Sequence, residues 1–236
     1  MKPVHYALVC ASLLAGCGGP PAEVPVAVAP PPPKPVVRGP ALKASQELGS
    51  IDEAATKRVF QKLGGQFQSC QTDAVGRIEY LSGDVKFFLR IGENGRAKYG
   101  YLERSTLGDR RAEECLVGAA MSAAWPAPEG GEAEVRYDGL GFDPASSVRM
   151  PTEWPSDKIA AVIGRHADAF SRCLSAAAGA KFTVTAYVAP GGKVQSVGVA
   201  TSSKEGAAQI ECVVSVVQSM KMPSPGSWAA KVAFQL

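Results

Sequence analysis

Histidine is almost missing from this chain. Its 236 residues hold two, His5 and His166, so no cluster of imidazoles is available for catalysis or metal binding. A His-Glu-x-x-His zinc helix, a Gly-x-Ser-x-Gly nucleophile elbow and a Gly-rich phosphate loop are also absent. No two cysteines stand at Cys-x-x-Cys spacing, which removes the usual zinc and dithiol redox readings. After the first few residues no apolar run approaches the roughly 18 residues that cross a bilayer. Charge of either sign is scarce and close to balance, with 25 Lys and Arg against 22 Asp and Glu. No basic stripe is present, so nucleic acid is not an expected partner. The adjacent acids that do occur, Asp52 with Glu53 and Glu113 with Glu114, fall where helix starts and helix surfaces are expected, and there a carboxylate serves capping and the helix dipole. His166 lies between Arg165 and Asp168 on a polar helix face. No catalytic, metal-binding or cofactor-binding residue is therefore nominated, and the chain is not expected to be an enzyme.

What the sequence does have is a repeat. Residues 94–137 slide onto residues 191–234 at a constant offset of 97 without a gap. Gly95 meets Gly192, Ser105 meets Ser202, Glu114 meets Glu211 and Cys115 meets Cys212. Pro126 and Pro128 meet Pro223 and Pro225, and Ala133 and Val135 meet Ala230 and Val232. The recurrence of Glu114 and Glu211, one residue before the repeated cysteines, marks a candidate polar contact. Upstream, Val59, Phe67 and Cys70 match Val162, Phe170 and Cys173 at an offset of 103, so the first copy carries extra loop residues around Thr72–Gly83.

Each copy reads helix, strand, strand, helix, strand. Ser50-x-x-Glu53 has the form of a capping box. Behind it Val59, Phe60, Leu63, Phe67 and Cys70 recur at helical spacing, interrupted by Gly64-Gly65. Pro155-Ser156-Asp157 opens the matching helix, with Ile159, Val162, Ile163, Phe170 and Cys173 on one face and Gly179 as its stop. Val85, Phe87, Leu89 and Ile91 alternate with Lys86, Phe88 and Arg90. Phe182, Val184, Ala186 and Val188 alternate with Thr183, Thr185 and Tyr187. Such alternation predicts strands with one buried face. Asn94-Gly95 and Gly191-Gly192 predict two-residue hairpin turns. The second helices end ahead of Pro126 and Pro223. The expected class is α+β: two tandem αββαβ modules at 50–143 and 154–236, each a small antiparallel sheet with helices on one face, joined by a linker at 144–153. Trp125, Trp154 and Trp228 are expected in the core or at module edges.

Four cysteines, Cys70, Cys115, Cys173 and Cys212, fall two to a copy. Pairing inside each copy is the arrangement that both copies share, which predicts Cys70–Cys115 and Cys173–Cys212 bridges between first and second helices. Even cysteine counts read as disulfides in exported chains.

The N-terminus supports export. Met1-Lys2-Pro3 precedes a short apolar run, Tyr6–Leu14, of signal-peptide length. It ends in Leu14-Ala15-Gly16-Cys17, which resembles the bacterial lipobox. That resemblance implies loss of residues 1–16 and acylation of Cys17, which would anchor the chain to a membrane. Residues 17–49 follow as a tether: Gly18–Pro40 holds nine prolines and predicts a polyproline spacer, or alternatively a ligand for a proline-binding domain. Gly18 after Cys17 leans toward the outer membrane, facing the periplasm.

The run Val85-Lys86-Phe87, Asn94-Gly95-Arg96, Ser105-Thr106 and Trp125-Pro126-Ala127-Pro128 resembles the C-terminal domain of TonB-family periplasmic proteins. Cys70 and Cys115 make it more similar to the related domain of the myxobacterial AgmX/PglI gliding-motility proteins. In the second copy Met222 stands for Trp125, and Ser227-Trp228 for Gly130-Gly131. The resemblance implies a non-catalytic structural or adaptor module in an envelope machine for motility, secretion or transport. It implies a protein partner engaged through a sheet edge. The alternative from another class is an envelope enzyme or ligand-binding lipoprotein acting on cell-wall material.

Overall fold

A computed structural model describes residues 48–236. The expected signal segment 1–16, the lipidation residue Cys17 and the proline-rich stretch lie outside the described residues. Asp52, not Ser50, caps the first helix: its Oδ1 accepts the Ala55 N–H at 2.8 Å. Ser50 is instead engaged by Glu129 through two backbone hydrogen bonds of 2.9 Å, which removes it from the capping position. The helix expected as one piece is two, α1 (Glu53–Lys62) and α2 (Gly64–Val75). The break falls directly before Gly64-Gly65, where the sequence gives a helix least support. Phe60, Leu63, Phe67 and Cys70 are buried on a common core, as their spacing requires.

Strands β1 (Gly83–Ile91) and β2 (Ala97–Ser105), helix α3 (Arg110–Ser122) and strand β3 (Ala133–Phe142) follow. They form an antiparallel sheet of order β2-β1-β3. The chain continues through β4 (Thr152–Trp154), a 3-10 turn at Ser156–Ile159, α4 (Ala160–Arg165), α5 (Ala167–Leu174), β5 (Phe182–Val188), β6 (Val194–Thr201), α6 (Lys204–Ala207), α7 (Ile210–Ser219) and β7 (Ala230–Gln235). Its sheet has the order β4-β7-β5-β6. The class is α+β. The second sheet departs from the antiparallel expectation, because β4 pairs with β7 in parallel, Trp154 opposite Val232. β4 lies largely in the segment read as linker, 144–153. Three residues between Pro151 and Pro155 carry no period-two signal, so the alternation rule had nothing to act on.

The hairpin turns hold three residues, not two. In the first, the Gly92 N–H donates to Arg96 O at 2.8 Å and the Gly95 N–H to Gly92 O at 2.9 Å. In the second, Ala189 N–H reaches Lys193 O at 2.8 Å and Gly192 N–H reaches Ala189 O at 3.0 Å. Gly95 and Gly192 have φ of 70° and 81°, a region glycine enters without cost. They also have a packing duty that explains their spacing from the prolines. Gly95 O accepts the Trp125 N–H at 2.9 Å, and Gly192 O accepts the Met222 N–H at 3.0 Å. A Cβ on either glycine would lie 2.4 Å from Trp125 O or 2.0 Å from Met222 O. Each turn glycine thus fits against the residue that precedes the Pro-x-Pro.

Cys70–Cys115 joins α2 to α3 and Cys173–Cys212 joins α5 to α7, with Cα separations of 5.7 and 5.6 Å. Two further expectations fail on the strand faces. Phe88, expected to face out, is buried by stacking on Tyr101 at 4.8 Å and by the Arg136 guanidinium 4.8 Å over its ring. Thr185 and Tyr187 of β5 are also buried, because that face packs on the core of the first sheet, to which Tyr187, Ala200 and Ala229 belong. The second sheet is therefore covered on both faces, by its own helices and by the first half of the chain.

Candidate functional site

Edge strands carry unpaired backbone donors and acceptors, and proteins cover or charge them. The edge strands are β2, β3, β4 and β6, and two of them, β6 and β2, are covered. β4 is a three-residue edge that itself lies on β7. On the outer side of β6 the Val199 N–H donates to Glu113 Oε2 of α3 at 2.8 Å. β2 packs against β6 and α6, and the Tyr101 hydroxyl donates to Ser202 O at 3.3 Å. β3 pairs with β1 and, among the described residues, with no second strand.

Beside the β3 edge runs a groove of about 430 Å³ lined by Glu53, Thr56, Lys57 and Phe60 of α1 and by Arg136, Tyr137 and Asp138 of β3. Its apolar wall is set by Phe60 stacked on Tyr137, with ring centroids 3.8 Å apart. The sheet's other face carries an alternating chain of ion pairs: Lys86–Glu103, Glu103–Arg136, Arg136–Glu134, Glu134–Arg90, Arg90–Glu132 and Glu132–Lys98. Hydrogen bonds from Lys98 and Arg90 hold the Glu132 carboxyl below the usual carboxylate range. Glu134, Arg136 and Asp138 put charge along β3, which discourages indiscriminate strand pairing at an open edge.

Where α3 meets β6, two carboxylates cross between the halves. Asp109 caps α3 through the Ala112 N–H at 2.8 Å, pairs with Arg77 at 2.6 Å and accepts the Ser196 hydroxyl at 2.9 Å. One turn on, Glu113 accepts the Ser105 hydroxyl at 2.5 Å as well as the Val199 N–H. Burial pushes the Glu113 carboxyl up to about 7, against the pull of those two hydrogen bonds. Gly198 makes the approach possible, since a Cβ there would lie 2.3 Å from Glu113 Oε1 and 2.9 Å from Asp109 N. Gly198→Ala is expected to lower the thermal midpoint by several degrees, a loss of about 1–3 kcal/mol. Calorimetry checks it, and an unchanged midpoint would show that the seam has slack. Lys231 closes the far end by donating to Ser82 O at 2.9 Å, and burial lowers its pKa from the ordinary lysine value.

The recurring acids meet at one cation. Arg110 pairs with Glu114 at 3.2 Å and with Glu211 at 2.5 Å, so the two repeated positions converge across the seam. Arg110 and Glu114 border a cleft of about 340 Å³ whose walls include Leu102, Val117, Val199 and Ile210. His166 is far from these groups in role: its Nδ1 lies 2.9 Å from Val162 O at the junction of α4 and α5. Trp125 and Trp154 are buried, and Trp228 is partly buried with its Nε1 donating to Met150 O at 3.0 Å. Sequence reasoning passed over Ser105, Asp109, Glu113, Ser196 and Gly198 as seam residues. The available signal was the stripe Ser196, Gly198, Ala200 along one face of β6, small and uncharged where a solvated face would carry charge. Compared with known proteins, the chain matches no family model, no curated protein and no solved structure.

Proposed function

We propose that the chain is a lipid-anchored envelope protein that acts as a non-catalytic adaptor, holding an extended segment of a partner protein along the free edge of β3. In this reading residues 50–143 and 154–236 are two copies of one TonB-like helix–strand–strand–helix–strand module. Cys17 carries the lipid and the proline-rich stretch spaces the modules from the membrane, on the periplasmic side of the outer membrane. The observation that carries the reading is the contrast between β3 and β7. At the offset of 97, Val135 of β3 corresponds to Val232 of β7. In β7 the outer side is filled by the chain's own β4, laid in parallel with Trp154 opposite Val232 and buried in the core. Ahead of β3 the Gly49 N–H donates to Glu132 O at 2.9 Å, as the Thr152 N–H does to Ala229 O, but no strand follows there among the described residues, and the rest of β3 is flanked by the groove of Phe60 and Tyr137. Backbone pairing would supply affinity and a large apolar residue opposite Val135 would supply specificity, as in strand addition generally.

A photoreactive residue placed at Lys57 or Asp138 in the native lipoprotein is expected to trap one dominant protein in intact cells. The same residue at Ala233 of β7, the strand that β4 covers, is expected to trap none. Equal capture at both places, or cell-wall fragments in place of protein, would overturn the reading.

A further inference from the structure

Glu113 is 1% exposed and, among the described residues, has no cation within ion-pairing distance. The groups that face it are few. Its own helix presents Asp109 one turn earlier and Arg110, which act on it in opposite senses. β2 presents the Ser105 hydroxyl, and Ser105 Oγ itself accepts the Leu107 N–H at 3.2 Å. β6 presents the Val199 N–H and the bare Cα of Gly198. Arg77, after α2, and Ser196 of β6 bear on it only through Asp109, which they both engage. β5 contributes no charge: Thr185 lies with its Oγ1 3.5 Å from Ser105 O. Protonated, Glu113 crosses this seam as a neutral group, its Oε1 hydroxyl donating to Ser105 Oγ while Oε2 still accepts the Val199 N–H. When its proton passes to water, a second negative charge stands one helical turn from Asp109, buried and with no cation paired to it among the described residues.

We propose that Glu113 is a proton-operated latch between the two sheets: neutral, it holds α3 and β2 against β6, and ionised, it loosens that seam. Val199 is both the latch's partner and a wall of the cleft that Leu102, Val117 and Ile210 line, so loosening the seam opens that cleft. The sign follows from linkage. A buried carboxyl titrating at about 7 instead of its ordinary 4.5 leaves the folded state holding a proton that the open state releases. The seam is tightest at and below the ordinary carboxylate range and loses stability as pH rises toward 7.

The test follows two signals in the full chain from about pH 5.5 to 8.5 by NMR. One is the Glu113 side-chain carboxyl carbon. The other is exchange of the Val199 amide, corrected for its intrinsic pH dependence. The carboxyl is expected to titrate near neutrality, and Val199 protection to fall by about tenfold or more across the same interval. In Glu113→Gln, which keeps an acceptor for Val199 and cannot ionise, protection is expected to stay level. A carboxyl already ionised at the acid end, or a Val199 profile identical in wild type and Glu113→Gln, would overturn the latch. Should the glutamine variant fail to fold, the wild-type carboxyl titration still decides.

Discussion

Replacing Cys173 and Cys212 together by alanine is expected to lower the unfolding free energy by about 3–4 kcal/mol, and Cys70 with Cys115 by a similar amount. The two cross-links span 45 and 39 residues, and the logarithmic dependence on loop length makes those entropic contributions nearly equal. Their local consequences differ. α4 and α5 are six and eight residues long, separated by His166, and helices this short do not persist alone. The Cys173–Cys212 bond is the covalent tie between that broken segment and α7. Its loss should free α4 and α5 as a unit that exchanges amide hydrogens ahead of global unfolding. α2, at 12 residues and with Phe67 stacked on Phe87 at 5.6 Å, should hold in place when Cys70 and Cys115 are lost. Denaturant titration gives the two totals, and hydrogen exchange resolved by segment gives the contrast. A loss below about 1 kcal/mol in both variants would mean that the open chain is already held compact without the cross-links.

Where the sequence was readable, a regular period or a repeat made it so. Val85, Phe87, Leu89 and Ile91 announced β1 because alternate side chains enter one core. The cysteine pairing followed from the matched positions in the two copies. What was not readable depends on contacts distant in sequence. Thr185 and Tyr187 read as a solvated face because hydroxyls tolerate water. They are buried because the first half of the chain lies on them, with the Tyr187 hydroxyl accepting the Ser82 N–H at 3.2 Å. Glu113 was legible as a helix residue. Nothing in its neighbours revealed that Gly198, 85 positions on, leaves room for its carboxyl. That β7 is covered rested on β4, whose three residues offer no pattern to detect.

That cover makes Trp154→Ala the second large effect. Trp154 is buried in the second core and has the Lys158 ammonium 5.4 Å above its ring. Truncating a buried tryptophan removes about 3–5 kcal/mol. β4 has three paired residues, Thr152, Glu153 and Trp154, and without the indole little remains to hold it on the sheet. The outer side of β7 would then lack a strand partner, as β3 does among the described residues. Two results are expected together: a large drop in the unfolding midpoint and concentration-dependent association through the exposed edge. Trp154→Phe keeps an aromatic anchor and should lose much less stability and stay dispersed. Sedimentation velocity across a range of concentrations separates the two variants. The adaptor reading adds a sharper consequence. A photoreactive residue at the exposed position Ala233 of β7 should capture little protein in the parent chain and should begin to do so once Trp154→Ala has uncovered the edge. If Trp154→Ala is as stable and as dispersed as its parent, β4 is not what covers β7, and the argument that an open β3 awaits a strand of the same kind loses its template.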